Sequence, residues 1–276
     1  MDMRGCALAI VALAGLLLSA PARGDETLAA AEVAADWQPH SLVYEVHAGG
    51  LHVFTINLEA RLKPDRYALS LALQTDGALG WLIDWTMASA AHGGLAETAP
   101  DPAWFRTESN WRGKIRWVEL RYGEGAGPLV EAVPPPEEDD RPMVPDALRV
   151  DSVDPLSAGA ALIYALAGRQ RCDSALSVFD GRRLFKARSE DLGPRELPAS
   201  DLAPFGGAAR ACALTVEPVT GFWRDPRYPA RTQELTVYLR ALSEAGPPLP
   251  VRIEAETRFG AIRAHLVDVS PRPGEG

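Results

Sequence analysis

Histidine, serine, aspartate and tryptophan are the residue types from which chemistry would have to be built in this chain. His47 and His52 flank Gly49-Gly50. If the two glycines form a two-residue hairpin turn, the imidazoles face each other across neighbouring strands with Cβ atoms roughly 5 Å apart. That is near enough to share one zinc ion if Glu45 or His40 supplied a third ligand. The chain has only five histidines and no HExxH pattern, so an exposed cross-strand pair is the plainer reading, and neither metal nor cofactor is expected. Hydrolysis by a Ser/His/Asp set needs a serine activated by an oriented histidine. No GxSxG elbow marks such a serine, so no catalytic residue is assigned. Asp180-Gly181, between Val178-Phe179 and Leu184-Phe185, reads as a turn rather than a catalytic aspartate. Trp81, Leu82, Ile83, Trp85 and Met87 form the densest run of large apolar residues. Core packing accounts for them; alternatively Trp81, Ile83, Trp85 and Met87 line an apolar ligand site.

The elements that would position these residues start with a leader. Arg4, the apolar run Ala7 to Leu18 and the small residues Ser19, Ala20 and Ala22 have the order of a secretory signal peptide, with cleavage expected near residues 22 to 24. The run is shorter than the roughly 20 residues a membrane span needs, and no later segment is apolar enough to span one. A periplasmic location is therefore expected. Cys6 precedes the apolar run, which argues against lipid attachment. Removing the leader leaves Cys172 and Cys212, which an oxidising compartment would join as a disulfide. The formal charge of -9 and pI near 5.1 argue against nucleic acid as a partner. The expected organisation is residues 1–24 as leader, 25–40 as a loose lead-in, 41–270 as one β-rich domain and 271–276 as a tail.

Within that domain Tyr67, Leu69, Leu71 and Leu73 alternate with smaller or polar residues, the period of a strand with one buried face. Further strands are expected around 103–110, 115–122, 175–179, 183–188, 211–217 and 234–242. A turn at Gly49-Gly50 sets Glu45 against Phe54 and Val43 against Ile56. It leaves apolar groups on both faces, as in a sheet covered on both sides or curved around something apolar. A second hairpin turning at Phe259-Gly260 sets Ile253 beside Leu266, Ala255 beside Ala264 and Glu256 beside Arg263. Asp154-Pro155 offers a helix cap and first turn, and an alanine-rich apolar run follows as far as Gly168. Its near-absent polar face requires burial. Residues 134–145 and 193–207, rich in proline or glycine, are expected as long loops.

Several stretches together resemble the bacterial envelope family known as domain of unknown function 3108. They are Leu42 to Val46, Thr75 to Gly77, Lys114 to Tyr122, Asp154 to Ser157, Phe179 to Arg183 and, most specifically, Pro250 to Gly260. The resemblance implies a secreted, mainly antiparallel β domain around a helix, with no assigned activity. The combined expectation is a mainly β fold, a curved antiparallel sheet (open barrel or clam-like) packed around one short buried helix. Its expected function is non-enzymatic binding of a lipid or other apolar ligand, or of an envelope partner; an envelope hydrolase and a structural scaffold are the alternatives.

Overall fold

The computed structural model describes residues 39–270 apart from 77–83, 97–98, 124, 126, 139–140, 224–228, 244–245 and 258–259. The expected leader, most of the lead-in and the 271–276 tail lie outside the described residues, as do Trp81, Ile83 and part of the second hairpin's turn. Seven strands lead away from one end of the chain: β1 (His40–Ala48), β2 (Leu51–Lys63), β3 (Arg66–Thr75), β4 (Trp85–Ala96), β5 (Ala99–Trp111), β6 (Lys114–Arg121) and β7 (Leu129–Val133). After a short helix α1 (Asp146–Arg149) come β8 (Ser152–Val153) and the main helix α2 (Pro155–Arg169). The chain then returns through β9 (Ser174–Phe179), β10 (Leu184–Leu197), β11 (Gly207–Thr220), β12 (Gln233–Ala241), β13 (Pro248–Thr257) and β14 (Gly260–Ser270).

All fourteen strands form one open sheet in the order β7-β6-β5-β4-β3-β2-β1-β14-β13-β12-β11-β10-β9-β8. Two meanders thus join at a central seam where β1 pairs antiparallel with β14, and among the described strands only the β8–β9 pair is parallel. One face carries the core: Leu42, Tyr44 and Val46 on β1, Tyr67, Leu69, Leu71 and Leu73 on β3, Val237 and Leu239 on β12, and Ile262 and Leu266 on β14 are buried. Helix α2 lies on that face and touches β4 and β5 from one meander, β9 and β13 from the other. Contact with strands so far apart in the order requires the sheet to curve around the helix, as expected.

The helix forms where its caps dictate. Asp154 Oδ1 accepts from the backbone N–H groups of Leu156 and Ser157, both at 2.9 Å, and Pro155 occupies the first turn, where its missing N–H costs nothing. The helix runs one residue past Gly168 and ends at Gln170, which takes the left-handed conformation (φ 54°) and donates to Leu166 O. Leu156, Ala160, Leu162 and Ile163 are buried.

Strands expected at 103–110, 115–122, 175–179, 183–188, 211–217 and 234–242 agree with β5, β6, β9, β10, β11 and β12 to within a residue or fall inside them. Three local expectations are corrected. In the first hairpin Gly49 and Gly50 have φ of 58° and 85°, suited to a primed turn, and Ala48 opposes Leu51 and His47 opposes His52. Beyond that point Val53 is an extra residue, so Val46 meets Phe54, Glu45 meets Thr55, Tyr44 meets Ile56 and Val43 meets Asn57. This β-bulge moves Ile56 onto the buried face with Tyr44 and Val46 and leaves Glu45, Thr55 and Asn57 on the other. The hairpin therefore has one apolar and one largely polar face, not two apolar ones.

In the second hairpin Thr257 opposes Gly260, Ala255 opposes Ile262, Ile253 opposes Ala264 and Glu254 opposes Arg263. The register is offset from the expected one by two residues. A two-residue slip preserves the side-chain parity, so matching polarity cannot distinguish the two alignments. The expected loop at 193–207 is shorter than its composition suggests: β10 extends to Leu197, and Gly193 (φ 80°) sits at an irregularity where β10 passes β11. Glycine and proline there mark a bulge within the ladder, and the connecting loop shrinks to 198–206.

Candidate functional site

His47 and His52 do face each other on the polar side of the first hairpin, with ring centroids 5.3 Å apart. His265, brought in by the β1–β14 seam, lies 6.2 Å from His47. His47 and His265 are both buried, and their Nδ1 atoms lack hydrogen-bond partners among the described residues. Burial, reinforced by Arg252 and His47, lowers the His265 imidazole to about 4. His52 Nε2–H donates to Phe54 O at 3.0 Å. Glu45 Oε2 is 3.7 Å from His47 Nε2, whereas His40 sits at the far end of β1 opposite Ala60. Among the described residues no three His, Cys, Asp or Glu side chains are placed to hold a metal ion.

A second polar group lies inside the core. Tyr67 Oη donates to Ser157 Oγ at 2.6 Å, and Ser157 Oγ donates to Asp154 Oδ2. All three are buried, and burial holds the Asp154 carboxyl up at about 6 despite its helix-capping hydrogen bonds. The relay ties β3 to the start of α2. With Ser157 wholly enclosed, it presents no nucleophile to solvent.

Of the residues suggested for ligand binding, Trp85 and Met87 belong to the core. Trp85 meets Phe54 edge-on at 5.6 Å and Trp111 at 6.4 Å. Trp81 and Ile83 lie outside the described residues. The disulfide forms as expected between Cys172 and Cys212, whose Cα atoms are 6.1 Å apart. It fastens the segment after α2 to β11.

The concave site sits elsewhere, between the two free edges of the sheet. Gly181, in the β9–β10 turn, packs so tightly on Val118 of β6 that a Cβ there would fall 2.0 Å from the valine methyl. Arg182 Nη2 donates to Pro134 O at 2.6 Å just beyond β7. The β9–β10 turn thus rests on β6 and on the residue after β7, and beside this contact a cleft of about 610 Å³ opens. Val144 and Phe179 are buried in its wall, while Leu129 and Met143 line it and remain exposed. Arg141, Arg149 and Arg182 also line it, and Asp146 is the acid among the described lining residues. The Arg149 guanidinium pairs with Asp146 and lies 5.6 Å over the Phe179 ring. Its Nε is buried and has no hydrogen-bond partner among the described residues. Arg141 lies 4.9 Å over the ring of exposed Trp223.

Sequence reasoning missed this site because residues 134–145 resemble a solvated loop. The available signal was the apolar pair Met143-Val144 inside a proline-rich, acidic stretch, both of which line the cleft.

One open sheet curved around a single buried helix, with a cleft at its unpaired edges, defines a β-rich protein of the clam-like kind. The chain belongs to the family described as "Protein of unknown function (DUF3108)", whose model matches residues 43–267. Among solved structures it is similar to a β-barrel-like protein of domain of unknown function DUF1849 from Brucella abortus, at 10% identity and a TM-score of 0.48, over 84% of this chain and 96% of that one. No curated protein matches it.

Proposed function

We propose that this is an exported periplasmic protein that binds an apolar molecule in the cleft between its sheet edges and does so without catalysis. The cleft carries the reading. Its volume of about 610 Å³ falls within the range of roughly 300–1,000 Å³ that small-molecule sites occupy. Exposed Leu129 and Met143 at its rim, beside buried Val144 and Phe179, offer apolar surface that water solvates poorly. The signal-like leader and the Cys172–Cys212 bond agree with an oxidising compartment. The corrected hairpin no longer argues for an apolar outer face, so the edge cleft takes over that support.

Native mass spectrometry of protein purified from its own host tests the reading. Retained lipid-sized mass, displaced by a hydrophobic dye and reduced in a Met143→Lys variant, is expected. The absence of both retained mass and dye binding would overturn it. Fractionation of cells tests the location, and recovery with the cytoplasmic fraction at full precursor mass would refute export.

A further inference from the structure

We propose that the β1–β14 seam is an acid-sensitive latch, in which protonation of His47 and His265 loosens the pairing between the two meanders before the rest of the sheet gives way. The register lays two polar rows across the seam on the face opposite the core. Thr55, Glu45, His265 and Arg252 stand side by side on β2, β1, β14 and β13, and two residues along the strands His52, His47, Arg263 and Glu254 do the same. His47 and His265 therefore lie on opposite sides of the seam, their ring centroids 6.2 Å apart, and each is only 8% exposed.

Neither ring is provided for as a cation. An imidazolium donates from both nitrogens, and the Nδ1 atoms of His47 and His265 have no acceptor among the described residues. A neutral ring with its proton on Nε2 leaves a lone pair unsatisfied there, whereas protonation adds a buried N–H with nothing to receive it and a charge as well. The described charges around the pair are already engaged. On β13 Glu254 lies 3.8 Å from Arg252 and 3.5 Å from Arg263 of β14, so one carboxylate serves two guanidinium groups beside His265. Glu256, further along β13, is exposed. On β1 Glu45 Oε2 is 3.7 Å from His47 Nε2, which commits that carboxylate to one of the two rings. On β2 His52 is a third imidazole, 5.3 Å from His47, and beyond it Asp76, just past β3, accepts from Thr55 Oγ1 at 2.8 Å. A second proton in the seam thus sets like charges together in a poorly hydrated place. Burial, with Arg252 and His47 adding to it, already holds the His265 imidazole down at about 4.

The opening is local because other contacts persist. Leu42, Val46 and Leu266 pack the core side of the seam and keep it closed while the histidines are neutral. Helix α2, which touches β4 and β5 in one meander and β9 and β13 in the other, holds the two together when the seam parts.

Amide hydrogen exchange read by mass spectrometry, on the purified chain with its disulfide intact and corrected for the intrinsic rate at each pH, tests the latch. Opening that returns His265 from about 4 to its ordinary 6.5 should cut the protection of β1 and β14 about 50-fold between pH 7 and pH 4.5. Peptides from α2 and β9 to β11 should change by less than about fivefold, because the Asp154 carboxyl, held up at about 6, steadies the whole fold in acid. In His265→Gln the seam should stay within about fivefold over the same range. A seam unaffected by pH, a loss shared equally by β9 to β11, or an acid loss undiminished in His265→Gln would overturn the latch. Should the variant not fold, the wild-type imidazole C2 proton resonances decide. His265 is expected to remain neutral down to about pH 5, and its titration above that would overturn the proposal.

Discussion

Asp154 is buried to the last atom, and its carboxyl titrates at about 6 instead of the usual 3.8. Burial disfavours the charged form by more than its hydrogen bonds to Leu156, Ser157 and the Ser157 hydroxyl restore. Because the folded value lies above the unfolded one, the native state binds the extra proton between roughly pH 4 and 6. Stability from this group is therefore greatest below pH 4, falls as pH rises through that window, and is level above it. Two pKa units and a fraction correspond to about 3 kcal/mol.

Asp154→Asn keeps an acceptor for the two backbone N–H groups and removes the titration. Urea unfolding followed by tryptophan fluorescence, with the disulfide intact, should show the wild type gaining about 2.5 kcal/mol on the variant between pH 7 and pH 4. His265 acts in the opposite direction. Its imidazole is lowered to about 4, so it removes stability as pH falls below 6.5, but it does so in both chains and drops out of the difference. Wild-type and variant curves that run parallel from pH 4 to 7 would refute the reasoning.

Gly181→Ala places a methyl 2.0 Å from Val118 Cγ1 at a φ of 88°. The β9–β10 turn should then move away from β6, at a cost of about 2 kcal/mol or more, read as a lower urea midpoint. A loss under 0.5 kcal/mol would show that the two sheet edges are not held together there. Replacing both Cys172 and Cys212 by alanine opens a loop spanning a sequence separation of 40. A destabilisation of about 4 kcal/mol is expected, and dithiothreitol should reproduce it in the wild type; an unchanged thermal midpoint under reduction would contradict it.

What could be read from the sequence was local. Asp154, Pro155 and the alanine run specified α2 because caps and helix periodicity act within a few residues. The one-face alternation of Tyr67 to Leu73 specified β3 for the same reason. The histidine pair was found because only the two-residue turn and the Ala48–Leu51 pair separate its members. Errors arose where one residue changes the pairing at a distance. Val53 bulges because Ile56 gains burial beside Tyr44, a preference settled by the core face and invisible to a turn-based count. The second hairpin was two residues out because its polarity pattern repeats with the same period as the strand. His265 joined the histidines only through the seam between the first and last strands. The cleft needed both free edges of the sheet to meet, and no local pattern encodes that meeting.

The β1–β14 seam has a consequence for how the protein is made. A chain that emerges N-terminus first presents β1 long before its second neighbour exists, since β14 follows all the other described strands. Until then β1 has one open flank, and the hydrogen bonds of its outer ladder must wait for nearly the entire polypeptide. Pairings between such distant segments are slow to form, so each newly made molecule passes through a stage with an unprotected strand at its middle. Pairing with β14 closes that flank in the finished sheet.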